Sequence, residues 1–151
     1  MGLVGAISMS IWLGNGQESE KPWGSETTWA APWGVQGKIL KIKEGERTSL
    51  KYYRRKNEAL YCLAGKAIVT APQEFEFGDE KTKNGAVFYL EPGKILFIES
   101  EDPYRIRAYS DCVLIEVTHG GCNSGKDAVM IEDDYGRVKD TGKSKKDIIS
   151  Q

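Results

Sequence analysis

Gly45-Glu46-Arg47-Thr48-Ser49-Leu50-Lys51-Tyr52-Tyr53-Arg54-Arg55-Lys56-Asn57-Glu58-Ala59-Leu60-Tyr61-Cys62-Leu63-Ala64-Gly65 is the stretch on which the fold turns. Glycines close it at both ends. Between them lie two short runs, residues 48–54 and 59–63, separated by the polar Arg55-Lys56-Asn57-Glu58. Aromatic and β-branched residues suit a pleated, half-buried surface, whereas glycine breaks a strand and lets the chain turn. Further runs of this kind occupy 38–43, 67–70, 87–90, 95–98, 104–109 and 113–117. They are punctuated by Glu44-Gly45-Glu46, Ala64-Gly65-Lys66, Glu91-Pro92-Gly93 and Ser110-Asp111. Many short strands at this spacing predict an all-β sandwich or barrel. No helical stripe competes, and no internal repeat is visible.

At 151 residues the chain suits one domain with a real core. Charged residues make up 28% and apolar ones 40%, with a net charge of -1. That balance exerts no pull toward nucleic acid or an anionic membrane, so neither is expected as a partner. Cys62, Cys112 and Cys122 are too few and too scattered for a disulfide framework or a CxxC zinc site, and a reduced, cytoplasmic setting is expected. The apolar opening from Gly2 to Leu13 is too short to span a bilayer and lacks the basic start of a secretory signal. Ala6 stands where a myristoylation motif needs Ser or Thr. The opening reads as an arm that packs on the body or on a second subunit. Residues 15–21 read as a polar linker, 73–84 as a solvated hairpin loop and 139–151 as a loose polar tail. The expected division is arm and linker over 1–20, barrel over 21–138 and tail from 139.

The spacing Gly45, five residues, Lys51-Tyr52-Tyr53, four residues, Glu58, six residues, Gly65 resembles the first signature of the cupins, G-x5-H-x-H-x4-E-x6-G. A second signature, G-x5-P-x-G-x2-H-x3-N, can be laid over Gly93 to Ala108. There Tyr104 takes the His position, while Glu99, Glu101 and Ala108 take those of Pro, Gly and Asn. The resemblance implies an all-β cupin, a jelly-roll barrel of antiparallel strands with an N-terminal arm. It also implies a register, since side chains alternate faces along a strand. Ser49, Lys51, Tyr53 and, if the strand runs that far, Arg55 would point inward, with Glu58, Leu60 and Cys62, and with Tyr104, Ile106 and Ala108. Leu50, Tyr52, Arg54, Arg105 and Arg107 would point outward. The opposite register, with Leu50 inside, stays open.

Every histidine of the pattern is replaced, so no metal and no cofactor are expected. A divalent ion wants carboxylate, imidazole or thiolate, and Glu58 alone cannot hold one beside an ammonium. Lys51 reads instead as an ion-pair partner for Glu58 across a hairpin, or as an anion-binding group.

Three further stretches resemble one branch of the family. Lys21-Pro22-Trp23-Gly24-Ser25, Gly45-Glu46-Arg47-Thr48-Ser49-Leu50 and Ile131-Glu132-Asp133-Asp134-Tyr135-Gly136-Arg137 look like the cupin domain of type II mannose-6-phosphate isomerases. The likeness covers roughly 21–137, without the nucleotidyltransferase half that commonly accompanies this domain. Those isomerases use a metal to polarise the sugar carbonyl. Here the implied function is recognition of a small anionic carbohydrate, a sugar phosphate or nucleotide sugar, and the expected assembly is a homodimer. The expected ligand-binding residues are Lys51, Tyr53, Arg55, Glu58, Tyr104, Arg105 and Arg137, the guanidinium groups suiting a phosphate or carboxylate. Trp23, Trp29 and Trp33 either stack on a sugar or bury the first strands.

His119 is the one side chain whose ordinary pKa lies near neutrality. An alternative reading is therefore a metal-independent isomerase or epimerase, with His119 as base and Tyr53 or Tyr104 as acid. A third is a non-catalytic dimerisation scaffold.

Overall fold

The computed structural model describes residues 11–30, 33–72, 74–77, 80–83, 85–120 and 127–137, with backbone only for 74–77 and 80–83. The arm through Ser10, Cys122 and the tail from 139 lie outside the described residues. The elements are β1 (Gln17–Lys21), β2 (Gly24–Ala30), β3 (Val35–Ile42), β4 (Leu50–Tyr53), β5 (Asn57–Ala64), β6 (Ala67–Ala71), β7 (Glu74–Phe77), β8 (Glu80–Lys83), β9 (Ala86–Leu90), β10 (Ile95–Ile98), β11 (Arg105–Ala108), β12 (Cys112–His119) and β13 (Ala128–Glu132). No described helix is long and apolar enough to cross a membrane.

Two walls face each other. One is a six-stranded antiparallel sheet ordered β1-β2-β3-β12-β5-β10. The other combines β11-β6-β9 with the pair β13-β4. Backbone bonds stitch these two parts together: Lys51 N–H donates to Tyr104 O at 3.1 Å, Tyr104 N–H to Lys51 O at 2.9 Å, and Thr48 N–H to Ile106 O at 2.8 Å. The strands β7 and β8 form a separate hairpin within the stretch expected to be a hairpin loop.

Besides β7 and β8, three strands were not anticipated. Residues 15–21, expected to be a linker, form β1 from Gln17 onward, because their backbone pairs with β2 from Gln17↔Thr28 to Lys21↔Gly24. Its side chains are almost all exposed, so the strand carries no apolar alternation to betray it. In β2 the inward positions are the polar Glu26 and Thr28, which hides the alternation in another way. The third, β13, is apolar but pairs with a strand almost eighty residues earlier, through Ala128↔Tyr53 and Met130↔Lys51.

The register explains where the core ends and a site begins. Inward residues of the first wall line up in cross-strand rows: Glu26–Leu40–Leu114–Cys62, then Thr28–Lys38–Glu116–Leu60, then Gln36–Thr118–Glu58. Beyond Glu26 the first row is apolar and buried, with Ile42, Ile106 and Val69 around it. The next two turn polar on the β2, β3 and β12 side. Burial of the apolar end supplies the driving force for closing the barrel, about 25 cal/mol for each Å² removed from water.

The two glycines that bound the opening stretch differ in environment. Both have left-handed backbones, with φ of 80° at Gly45 and 75° at Gly65. A Cβ at Gly65 would lie 2.1 Å from Asp111 O, whereas one at Gly45 meets nothing within 4 Å. Gly45→Ala should therefore cost only the left-handed penalty of about 1–2 kcal/mol. Gly65→Ala should cost clearly more, because the β5–β6 turn must also back away from β12. Urea unfolding of both variants checks this ordering.

A cationic cavity at the polar end of the barrel

The polar rows open into a cavity of about 330 Å³ between the two walls. Its lining includes Lys21, Lys38, Lys51, Lys56 and Arg137, against the carboxylates of Glu26 and Glu116. Trp23, Gln36, Ser49, Tyr53, Ile106 and Met130 complete much of the wall. β4 delivers Lys51 and Tyr53 on alternate positions, and the buried Ser49 precedes them on the same side. This is the register that the signature spacing implied, with Leu50 on the other face.

The four signature positions gather in two layers. Lys51 Nζ donates to Tyr53 Oη at 3.0 Å and stands 4.6 Å from the centre of the Tyr53 ring and 5.8 Å from that of Tyr104. Beneath it, and outside the cavity lining although both were expected to bind ligand, Tyr104 Oη donates to Glu58 Oε2 at 2.8 Å, both residues being buried. Burial alone would strip Lys51 of its proton, but Tyr53, Glu116 and Glu58 outweigh it and raise its pKa. It is a fixed ammonium. Burial pushes Glu58 the other way, up to about 8, reinforced by the neighbouring charge of Glu116 and opposed by Lys51 and the Tyr104 hydroxyl. Burial and the nearby carboxylates also hold the Tyr104 phenol well above its ordinary value, and burial raises that of Tyr53.

A second tier surrounds this pair. Lys38 Nζ lies 3.4 Å from Glu26 Oε1 and 3.9 Å from Glu116 Oε1. Thr28 Oγ1 donates to Glu26 Oε1 at 3.2 Å. Lys56 Nζ donates to the amide oxygen Oε1 of Gln36 at 3.1 Å, while the Lys56 and Arg55 N–H groups donate to Asp127 Oδ2 at 3.1 and 3.3 Å. Arg137 enters the cavity wall held by Asp133, with Nη2 to Oδ1 at 2.7 Å and Nε to Oδ2 at 3.1 Å.

The other expected site residues fall elsewhere. Arg55 is exposed and outside the cavity lining, because β4 ends at Tyr53 and strand alternation stops there. Arg105 takes the face opposite Tyr104, as its parity requires, but it is buried rather than solvated. It staples the end of β13 to the barrel, donating Nε to Thr48 O at 3.0 Å and Nη2 to Glu132 O at 3.3 Å. His119 is exposed at the end of β12, on the face opposite Thr118 and Glu116. Trp23 is buried in the cavity wall, Trp29 lies over Gly37, and Trp33 is exposed with its ring 6.4 Å from that of Trp12.

Lys38, Lys56, Glu26 and Glu116 were missed as site residues. A signal existed for two of them. Lys38 shares strand parity with Leu40 and Ile42, and Glu116 shares it with Leu114, so each is a charge on a core face. Charges at such positions are rarely buried without a purpose or a partner.

No protein-family model and no curated protein sequence matches the chain. Solved structures do. The capsular polysaccharide assembling protein CapF from Staphylococcus aureus aligns at 16% identity with a TM-score of 0.63, covering 81% of this chain and 33% of that one. Oxalate decarboxylase from Bacillus subtilis aligns at 16% with a TM-score of 0.66, covering 89% and 36%. Vicilin from Capsicum annuum aligns at 14% with a TM-score of 0.58, covering 70% and 30%. The chain thus spans about a third of the length of the structures it matches. CapF and oxalate decarboxylase are cupin-fold proteins, and the present chain has the cupin fold.

A cupin barrel raises the question of a metal. The groups at the signature positions here are an ammonium, two phenols held protonated and one carboxylate. They do not fit a divalent ion. Nor do three or more His, Cys, Asp or Glu side chains come together as a ligand set among the described residues.

The raised pKa of Glu58 makes stability depend on pH. The folded chain holds this proton more tightly than the unfolded chain, whose carboxyl keeps a value near 4.5. The stabilisation is therefore complete below about pH 4.5 and is lost as pH rises to about 8. Urea denaturation across that window should show stability declining, and Glu58→Gln should flatten the decline. An unchanged slope in the variant would assign the protons to other groups.

Proposed function

We propose that this barrel binds a small anionic carbohydrate, foremost a sugar phosphate, directly through its lysines and without a metal. The observation that carries the reading is the way Lys51 and Lys56 are satisfied. Both ammonium groups lie in the cavity, and the hydrogen bonds they donate go to neutral oxygens, Tyr53 Oη and Gln36 Oε1. An ammonium whose hydrogen bonds end on neutral oxygens keeps its charge and remaining N–H donors available to an anion, even with carboxylates nearby. At about 330 Å³ the cavity lies near the lower end of the 300–1,000 Å³ usual for ligand sites. That favours a monosaccharide phosphate; the nucleotide part of a nucleotide sugar would have to lie at the mouth. The resemblance to type II mannose-6-phosphate isomerases points to the same ligand class, with that metal-assisted isomerisation no longer supported by the side chains present.

The isomerase reading that relies on His119 finds less support. The imidazole lies on the outer face, and the raised pKa of the two phenols proposed as acids makes them reluctant proton donors. Calorimetric titration of the protein with glucose 6-phosphate, mannose 6-phosphate and their nucleoside-diphosphate sugars tests the anion reading. At least one should bind, and Lys56→Met should weaken it about tenfold or more, the worth of a charge-assisted hydrogen bond. No heat and no thermal stabilisation with any of them would sink it.

A second copy of the chain is the partner favoured by the outer face of the first wall. Antiparallel sheets with one solvated side usually make that side polar. Here rows Ile39–Ile115–Tyr61–Ile95 and Trp29–Gly37–Val117–Ala59–Phe97 run across it to the sheet edge at β10. Trp29 is 42% exposed, Tyr61 37%, Leu63 54%, Ile95 53%, Phe97 76% and Val117 43%. With side chains of this size burying up to about 250 Å² each, the exposed portion comes to roughly 600 Å². Most of the ~800 Å² that each partner contributes to a standard interface is thus present on this one face. Sedimentation should give a dimer for the wild type and a monomer for the double variant Ile95→Lys, Phe97→Lys. A wild-type monomer at tens of micromolar, the range where a stable dimer is fully formed, would overturn this.

A further inference from the structure

Glu116 is the exception among the carboxylates around the cavity. Glu58 accepts from Tyr104, Glu26 from Thr28, Asp133 from Arg137 and Asp127 from two backbone N–H groups. Glu116 is 1% exposed and lines the cavity, yet its Oε1 accepts no hydrogen bond from the described residues. Its cross-strand neighbours are Lys38 and Leu60. Leucine offers no donor, and the Lys38 ammonium at 3.9 Å is beyond hydrogen-bond reach and sits closer to Glu26. The carboxylate therefore stands in the polar wall as an acceptor set for a donor that the protein does not bring.

We infer that Glu116 accepts a hydrogen bond from a hydroxyl group of the bound ligand, while the lysines opposite hold the ligand's anionic group. This rests on the anionic-carbohydrate reading above and narrows it. An anion alone would be drawn to Lys51 and Lys56 but repelled by Glu116. A ligand ammonium would satisfy Glu116 but would have to pass five cationic side chains to reach it. A neutral hydroxyl is repelled by neither set, so the ligand class is a polyhydroxylated anion rather than anions in general. A site that offers a buried acceptor to one hydroxyl discriminates strongly against analogues lacking it, because the acceptor is then left bare.

Calorimetric titrations of the full chain with inorganic phosphate, glucose 6-phosphate and mannose 6-phosphate test the assignment. In the wild type a hexose phosphate should bind at least tenfold more tightly than inorganic phosphate. In Glu116→Gln the hexose phosphate should lose about tenfold to a hundredfold, the usual span for a hydrogen bond to a charged acceptor. Inorganic phosphate should bind equally well or better, since a negative charge has been removed. Affinities that fall together would show Glu116 to be merely structural, and affinities that rise together would show it to be only a repelling charge; either overturns the inference. A wild type that binds phosphate as well as hexose phosphate overturns it too, while leaving the anion reading intact. If the wild type binds none of the three, the anion reading fails and this inference with it. Should Glu116→Gln not fold, wild-type titration with 2-deoxyglucose 6-phosphate and 1,5-anhydroglucitol 6-phosphate decides. One of them must lose tenfold or more against glucose 6-phosphate, and no loss with either overturns the assignment.

Discussion

Opposite charges held close together inside the barrel are the constraint on which the rest depends. Lys51 keeps its proton because Tyr53, Glu116 and Glu58 surround it, while at Glu58 burial and the neighbouring Glu116 outweigh Lys51 and hold a proton up to about pH 8. Each ion taken alone would be expelled to water or neutralised. The arrangement is therefore all or nothing. It also explains why the apolar core occupies one end of the jelly roll and leaves the other open: a charged cluster cannot be packed over with leucine without losing its solvation.

Much of this arrangement was legible in the chain. Glycine punctuation and strand-length runs were enough for an all-β barrel, and the signature spacing set the faces of Lys51, Tyr53, Glu58 and Tyr104. Legibility failed wherever alternation was not written in apolar residues. Strand β1 is polar on both faces, and β2 points Glu26 and Thr28 inward because they face a cavity rather than a core. Arg105 shows a different limit. Parity correctly turned it away from Tyr104, but only the fold reveals that the end of β13 covers it. Lys56 was harder to find, since it lies in the short link between β4 and β5 and its backbone is held by a carboxylate distant in sequence.

The two faces of the main wall invert the usual pattern of a small β protein. Charges and amides collect on the side turned inward, while tyrosine, leucine, isoleucine and phenylalanine crowd the side turned out. Both halves of that inversion express one accounting rule. Polar groups are tolerated inside when they answer one another, and apolar groups outside are tolerated when something else covers them.

Asp127 ties these levels together from outside the cavity wall. By receiving the Arg55 and Lys56 amides it clips the loop after β4 to the foot of β13, and so determines where the Lys56 stem begins its reach. A lesion there would touch no ligand atom. It would nonetheless loosen the aim of a cation several bonds away, so inherited changes at this carboxylate would alter the charge geometry of the cavity in a domain that still folds.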